Sequence, residues 1–203
     1  MIRFEPVSAG YGDTTVVRDF SLDAVPGECI LLSGRNGSGK TTLMKTLAGL
    51  IPPLKGTLPQ AEVVMVPTRI PKVKGFTVRE FIALTASGPE RVSRALEILG
   101  IEDLSTRDLS TLSDGQFQKA CIATGLSRQA DLVLLDEPTA FLDAESRVRI
   151  LEAIKRAALA SGSCILFSSH DLHEARKVAD REITLLTDQV TGISAVSPVV
   201  RSV

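Results

Sequence analysis

The sequence lacks long hydrophobic runs: no uninterrupted apolar stretch in its 203 residues exceeds four. A helix that crosses a bilayer needs about 20 apolar residues, so no part of the chain is expected to span a membrane. Nor is there an excess of charge of either sign. Lys and Arg number 23 against 24 Asp and Glu, a formal net charge of -1. A near-neutral chain has no overall field to hold a polyanion, which disfavours sequence-independent nucleic-acid binding. The opening residues, Met1-Ile2-Arg3-Phe4-Glu5, show neither the basic start nor the apolar stretch of an export signal. Cysteine is scarce. Cys29, Cys121 and Cys164 are far apart, each among apolar neighbours, and read as buried small hydrophobes in a reducing compartment. The expected location is cytoplasmic.

What is present is a globular composition, 44% apolar and 23% charged, unlike that of a disordered chain. A chain of this length buries about 70% of its unfolded surface and needs no disulfide staples. Val16–Ala24 alternates imperfectly and predicts an antiparallel strand. Cys29–Leu32, Val63–Val66, Leu132–Leu135 and Cys164–Phe167 are short, wholly apolar runs, the pattern of buried parallel strands. Ile183–Leu186 is a further candidate strand. Helical character is expected over 41–50, 77–87, 90–99, 113–126, 144–160 and 172–179, and Pro52-Pro53 stops the first of these. Short apolar strands alternating with helices predict an α/β fold with a mainly parallel sheet. No internal repeat or low-complexity segment is present, and the end from Ser197 reads as frayed.

Four motifs carry chemistry. Gly34-Arg35-Asn36-Gly37-Ser38-Gly39-Lys40-Thr41 matches the pattern GxxxxGK[ST], after a buried strand and before a helix. Its glycines let backbone N–H groups wrap a phosphate, and the following helix adds a favourable dipole. Lys40 would bridge the β- and γ-phosphates and Thr41 would ligate Mg²⁺. Asp136-Glu137 ends the run Leu132–Leu135, at the C-terminal tip of a buried parallel strand, where open α/β sheets bind ligands. There Asp136 can reach the metal shell and Glu137 can polarise a water. Ser113-Asp114-Gly115-Gln116 is a capping box by its spacing. The same helix start also suits a phosphate, and residue chemistry leaves both readings open. His170 follows the strand run and Ser168-Ser169. No cysteine or third histidine accompanies His170 and His173, so a metal site there is discounted.

Together these pieces resemble the ATP-binding cassette (ABC) ATPase family, over roughly residues 2–190. The ordered set is the phosphate loop at 34–41, Leu112-Ser113-Asp114-Gly115-Gln116, Asp136-Glu137-Pro138 and Ser168-Ser169-His170. Leu112-Ser113-Asp114-Gly115-Gln116 resembles the family signature LSGGQ, with Asp114 in place of its first glycine. The resemblance implies a P-loop NTPase core with a mainly parallel sheet, a trimmed antiparallel β-subdomain and a small helical subdomain. One domain over 1–196 is expected, with a core of about 1–70 and 122–196, a helical subdomain of about 71–121 and a tail at 197–203.

The resemblance also implies roles. Tyr11 falls at the adenine-stacking aromatic. Asn36, Gly37, Ser38, Gly39, Lys40, Thr41 and Thr42 fall at the nucleotide loop, and Ser113, Gly115 and Gln116 at the signature, which faces the nucleotide of a second subunit. Asp136 and Thr41 fall at the Mg²⁺ ligands, Glu137 at the general base and His170 at the γ-phosphate sensor. Ala140-Phe141-Leu142-Asp143 falls at the loop that contacts the partner subunit. ATP and Mg²⁺ are thus the expected cofactors. The expected partners are a second ATPase subunit, as a homodimer, and an integral membrane permease, with the chain peripheral on the inner face of the cell membrane. Phe76 and Phe81 are candidates for the permease-facing groove around 68–86, with core packing the stronger reading for Phe81.

Two departures stand out. Val66-Pro67 is followed by Thr68, a shorter side chain than the family's usual glutamine that cannot reach the Mg²⁺ in the same way, and only Thr57–Ala61 separate Gly56 from Glu62, where the family carries a longer excursion. Asp114, Phe141 and Gly75–Phe81 resemble importers of iron chelates and cobalamin, and haem is a related cargo. The small size resembles haem exporters. A regulatory cassette with weak hydrolysis is the alternative.

Overall fold

The computed structural model describes residues 1–68, 70–140, 142–189, 191–197 and 200–201. The elements run β1 (Ile2–Tyr11), β2 (Thr14–Ala24), β3 (Cys29–Gly34), α1 (Lys40–Leu47), β4 (Val63–Val66), α2 (Val78–Ala83), α3 (Pro89–Leu99), α4 (Asp114–Leu126), β5 (Leu132–Leu135), α5 (Ala144–Ser161), β6 (Cys164–Ser168), α6 (Leu172–Val178), β7 (Arg181–Thr187), β8 (Ser194–Val196) and β9 (Val200–Arg201). The strands form one sheet in the order β1-β2-β8-β7-β3-β6-β5-β4, with β9 on β7. The stretch β7-β3-β6-β5-β4 is parallel throughout. This is the mixed α/β architecture expected from the apolar runs.

The parallel strands are apolar on both faces because each face meets a separate core. In β5, Val133 and Leu135 join one cluster while Leu132 and Leu134 join the other; in β6, Ile165 and Phe167 oppose Cys164 and Leu166 in the same way. The first cluster packs under α3, α4 and α5. The second lies under α1 and the β1/β2 hairpin. The three cysteines are free and buried, with thiols pushed up to about 12 chiefly by desolvation, consistent with small hydrophobes.

Several boundaries differ from the sequence reading. The N-terminal strand β1 escapes its periodicity because pairing with β2 shifts register between Phe4 and Val7, Val7 and Ala9, and Ala9 and Gly10. Each bulge breaks the two-residue alternation. Helix α1 ends at Leu47 rather than near residue 50, since Gly49 turns into the left-handed region at φ 70. Helix α2 stops at Ala83. Residues 57–62 form neither helix nor strand, and a lone bridge from Ser8 to Lys55 is what extends the β1/β2 ribbon; the short antiparallel part is as trimmed as the spacing implied. At the end expected to fray, the backbone of Val200–Arg201 pairs with β7, while 198, 199, 202 and 203 lie outside the described residues. Phe141 also lies outside them.

Phe76 and Phe81 are both half-buried against the first cluster, and Phe81 stacks on Phe117 with ring centroids 6.1 Å apart. Core packing accounts for Phe81. Among the described residues, no helix is long and apolar enough to cross a membrane.

Candidate functional site

The loop between β3 and α1 is shaped by its glycines. Gly34 has φ 146, and a Cβ there would fall 2.6 Å from Ser38 Oγ and 2.9 Å from the Leu185 carbonyl oxygen. Gly39 has φ 92, and a Cβ would fall 2.6 Å from Val16. Only glycine fits either place. The loop therefore curls tightly, and Lys40 Nζ folds over it to donate to the carbonyls of Gly34 and Arg35 at 2.8 and 3.2 Å. The Ser38 hydroxyl is buried without a hydrogen-bond partner among the described residues.

The adjacent tips of β5 and β6 supply the rest. Pairing of Leu135 with Phe167 sets Asp136 beside Ser168. Ser168 Oγ donates to Asp136 Oδ1 at 2.9 Å and accepts the Glu137 N–H at 2.9 Å. Thr41 Oγ1 donates to Asp136 Oδ2 at 2.7 Å, so both carboxylate oxygens are held. Glu137 is the next residue, in a left-handed conformation at φ 53. A non-glycine residue seldom adopts that geometry, and it is a mark of functional loops. Its carboxylate lies 3.3 Å from His170 Nε2. Burial raises the Glu137 carboxyl above the ordinary glutamate value, while the charges of His170 and Lys40 pull the other way.

A cleft of about 450 Å³ joins these groups. Asn36, Gly37, Ser38, Gly39, Lys40, Thr41 and Thr42 line it on one side, Asp136, Glu137 and His170 on the other. The structure thus brings ten of the residues singled out in the sequence into one cavity. Tyr11, Ser113, Gly115 and Gln116 do not line it. Tyr11 is 51% exposed, an open aromatic face at the β1/β2 turn. Ser113 caps α4 through the predicted box: its hydroxyl accepts the Gln116 N–H at 3.2 Å, and Gln116 Oε1 accepts the Ser113 N–H at 3.1 Å. Thr68 lies outside the cleft too, in a groove with Lys72 and Gln118.

The donor set suits a small hard cation. Thr41 supplies a hydroxyl and Asp136 a carboxylate, and magnesium is commonly held by one or two such oxygens plus phosphates. The described residues contain no group of three or more His, Cys, Asp or Glu able to hold a metal by themselves.

Three side chains acquire their contacts to the site only through the fold. Ser168 belongs to a motif in sequence, but strand pairing is what aims it at Asp136. Arg147 on α5 donates to Asp171 Oδ2 at 2.8 Å and to the Leu142 carbonyl at 3.3 Å, tying the segment after Glu137 to the one after His170. Lys72 donates to Asp114. No local pattern announces either long-range pair.

A family model described as ABC transporter matches residues 17–140. The zinc import ATP-binding protein ZnuC of Jannaschia sp. (strain CCS1) is 37% identical over 195 residues, covering 91% of this chain and 79% of that protein. The aliphatic sulfonates import ATP-binding protein SsuB of Granulibacter bethesdensis (strain ATCC BAA-1260 / CGDNIH1) is 34% identical, covering 97% and 84%. Among solved structures, the RNase-L Inhibitor superposes with a TM-score of 0.84 at 29% identity. That match covers 99% of this chain but spans only 40% of the other.

Proposed function

Because this chain belongs to the ABC transporter ATP-binding family, we propose that it is the ATP-hydrolysing subunit of a membrane importer, acting as a pair of cassettes against a separate permease. The observation that carries the proposal is the network in which Thr41, Ser168 and the Glu137 amide converge on one strand tip, opposite Lys40.

Lys40 is the cation that leaves the Gly34 and Arg35 carbonyls for the β- and γ-phosphates. The loop amides and the Ser38 hydroxyl receive the remaining phosphate oxygens. Thr41 and Asp136 would hold Mg²⁺, which supplies charge neutralisation at the phosphates when bound. Glu137 accepts a proton from the attacking water, and its burial raises its basicity for that task. His170, 3.3 Å away, orients Glu137 and meets the γ-phosphate. Tyr11 offers a stacking face for adenine. Ser113, Gly115 and Gln116 stand away from this cleft and serve the nucleotide of a second copy, so two ATP molecules are enclosed between two chains.

The cargo is selected by the permease. The two relatives above carry zinc and aliphatic sulfonates in their names, rather than the iron chelate or cobalamin suggested by Asp114, Phe141 and Gly75–Phe81. Import of a small charged nutrient is the reading that accommodates both. A second reading, a regulatory cassette with slow hydrolysis, is favoured by Thr68 alone.

The test is a pair of measurements on purified chain. Mg²⁺-dependent ATP hydrolysis is expected, and Glu137→Gln should reduce it about 100-fold or more while forming an ATP-dependent dimer by light scattering. A Glu137→Gln chain that stays monomeric at saturating ATP overturns the paired-cassette mechanism. Recovery of a polytopic permease with the chain from solubilised membranes supports the importer reading, and recovery of soluble partners alone removes it.

A further inference from the structure

Lys72 lies between β4 and α2 yet reaches the start of α4. Its Nζ donates to the Leu112 carbonyl at 2.9 Å and to Asp114 Oδ1 at 2.8 Å, and stands 5.7 Å from the centroid of the Phe117 ring. Three partners converge on one ammonium, all within the turn and first helical residues of 112–117. The hydrogen bond and charge of Lys72 hold the Asp114 carboxyl below the ordinary aspartate value, so it stays ionised. The side chains of Lys72 and Asp114 are 32% and 80% exposed. Exposed pairs contribute little to folding stability.

Asp114 stands at the place in 112–116 where the family pattern has glycine. A carboxylate there sits one residue from Ser113 and Gly115, the groups assigned above to the nucleotide of a second copy. Like charges repel, weakly in water and more strongly in a closing, drier interface. An untethered Asp114 would therefore oppose the approach of a triphosphate.

We propose that Lys72 is a positioning residue of the composite nucleotide site: it neutralises and ties down the Asp114 carboxylate so that the turn 112–116 closes on ATP despite an acid in place of glycine. The inference rests on the paired-cassette reading. It assigns no chemistry to Lys72, which acts through Asp114 and Leu112.

The experiment uses Glu137→Gln as the parent and adds Lys72→Ala, Lys72→Arg, Asp114→Gly, or Lys72→Ala with Asp114→Gly. Affinity of the monomer for a fluorescent ATP analogue and ATP-driven dimerisation by light scattering are measured separately. Monomer affinity should not change. Lys72→Ala should raise the ATP concentration for half-maximal dimer about tenfold, and added salt should narrow that gap, since exposed charges are screened within about 10 Å at 0.1 M. Lys72→Arg should stay near the parent, and the double variant should recover to within about twofold, the result that separates removal of a free carboxylate from simple loss of packing. If Lys72→Ala dimerises like the parent, or if the double variant is as impaired as Lys72→Ala, the proposal is overturned while the paired-cassette reading survives. A parent that does not dimerise overturns both.

Discussion

Ser168 donates to Asp136 Oδ1 over 2.9 Å and accepts the amide N–H of the residue that follows Asp136. One fully buried hydroxyl therefore fixes the acid assigned to the metal and the backbone of the acid assigned to the water. Ser168→Ala leaves a buried donor and a buried acceptor without partners. A loss of about 1–3 kcal/mol in folding stability is expected, read by thermal or urea denaturation. A higher Mg²⁺ requirement for hydrolysis should accompany it.

Glu137 gives the pH dependence. Burial lifts its carboxyl above the ordinary glutamate value, and the proton must be off for the group to act as base. Hydrolysis should rise with pH through an acid limb lying above the ordinary glutamate range. His170→Ala removes a charge that lowers this value and should move the limb higher still. The stability effect has the opposite slope: with the folded-state value raised, the Glu137 contribution is full below the unfolded value and is lost as pH rises through the folded one. A pH–rate profile of both chains, set beside chemical denaturation, checks the pair of statements.

Arg147 binds the Leu142 carbonyl and Asp171, bracketing the stretches after Glu137 and His170. Arg147→Ala should slow hydrolysis about threefold to tenfold through loss of positioning, with nucleotide affinity little changed. A fall in affinity equal to the fall in rate would contradict this assignment.

Gly34→Ala tests the shape of the phosphate loop. At φ 146 a methyl group would lie 2.6 Å from Ser38 Oγ and 2.9 Å from a backbone oxygen. Strain of about 1–3 kcal/mol and loss of measurable nucleotide binding are expected. Gly37→Ala, whose Cβ would meet nothing within 4 Å although φ is 80, should be the milder change in a parallel titration.

Much of this site is legible in sequence because its parts are local. A glycine-rich turn, an acidic pair after Leu132–Leu135 and a box at Ser113–Gln116 each announce themselves within a few residues. The sheet's middle is legible for the same reason, since four apolar runs read as buried strands. What escaped depends on distance or on irregularity. The bulges of β1 erase its alternation. Ser168 against Asp136, Arg147 against Asp171 and Lys72 against Asp114 are separated by 32, 24 and 42 positions, and no propensity encodes such pairings. The Ser113 end of α4 lies outside the cleft, and its proposed ligand belongs to another molecule.

The two-faced burial of β5 has a consequence for folding fidelity. Leu132, Val133, Leu134 and Leu135 are all buried, so a slip of one residue would still bury apolar side chains on both sides, and hydrophobicity alone is a poor guard against it. The guard stands at the strand's end, where the Asp136 amide donates to the Val66 carbonyl at 3.0 Å and its carboxylate meets Thr41 and Ser168. The acid assigned to the metal thus also serves as an alignment mark for the central sheet. Replacing it would remove the proposed metal ligand and, in the same stroke, loosen the ruler by which neighbouring strands find their places.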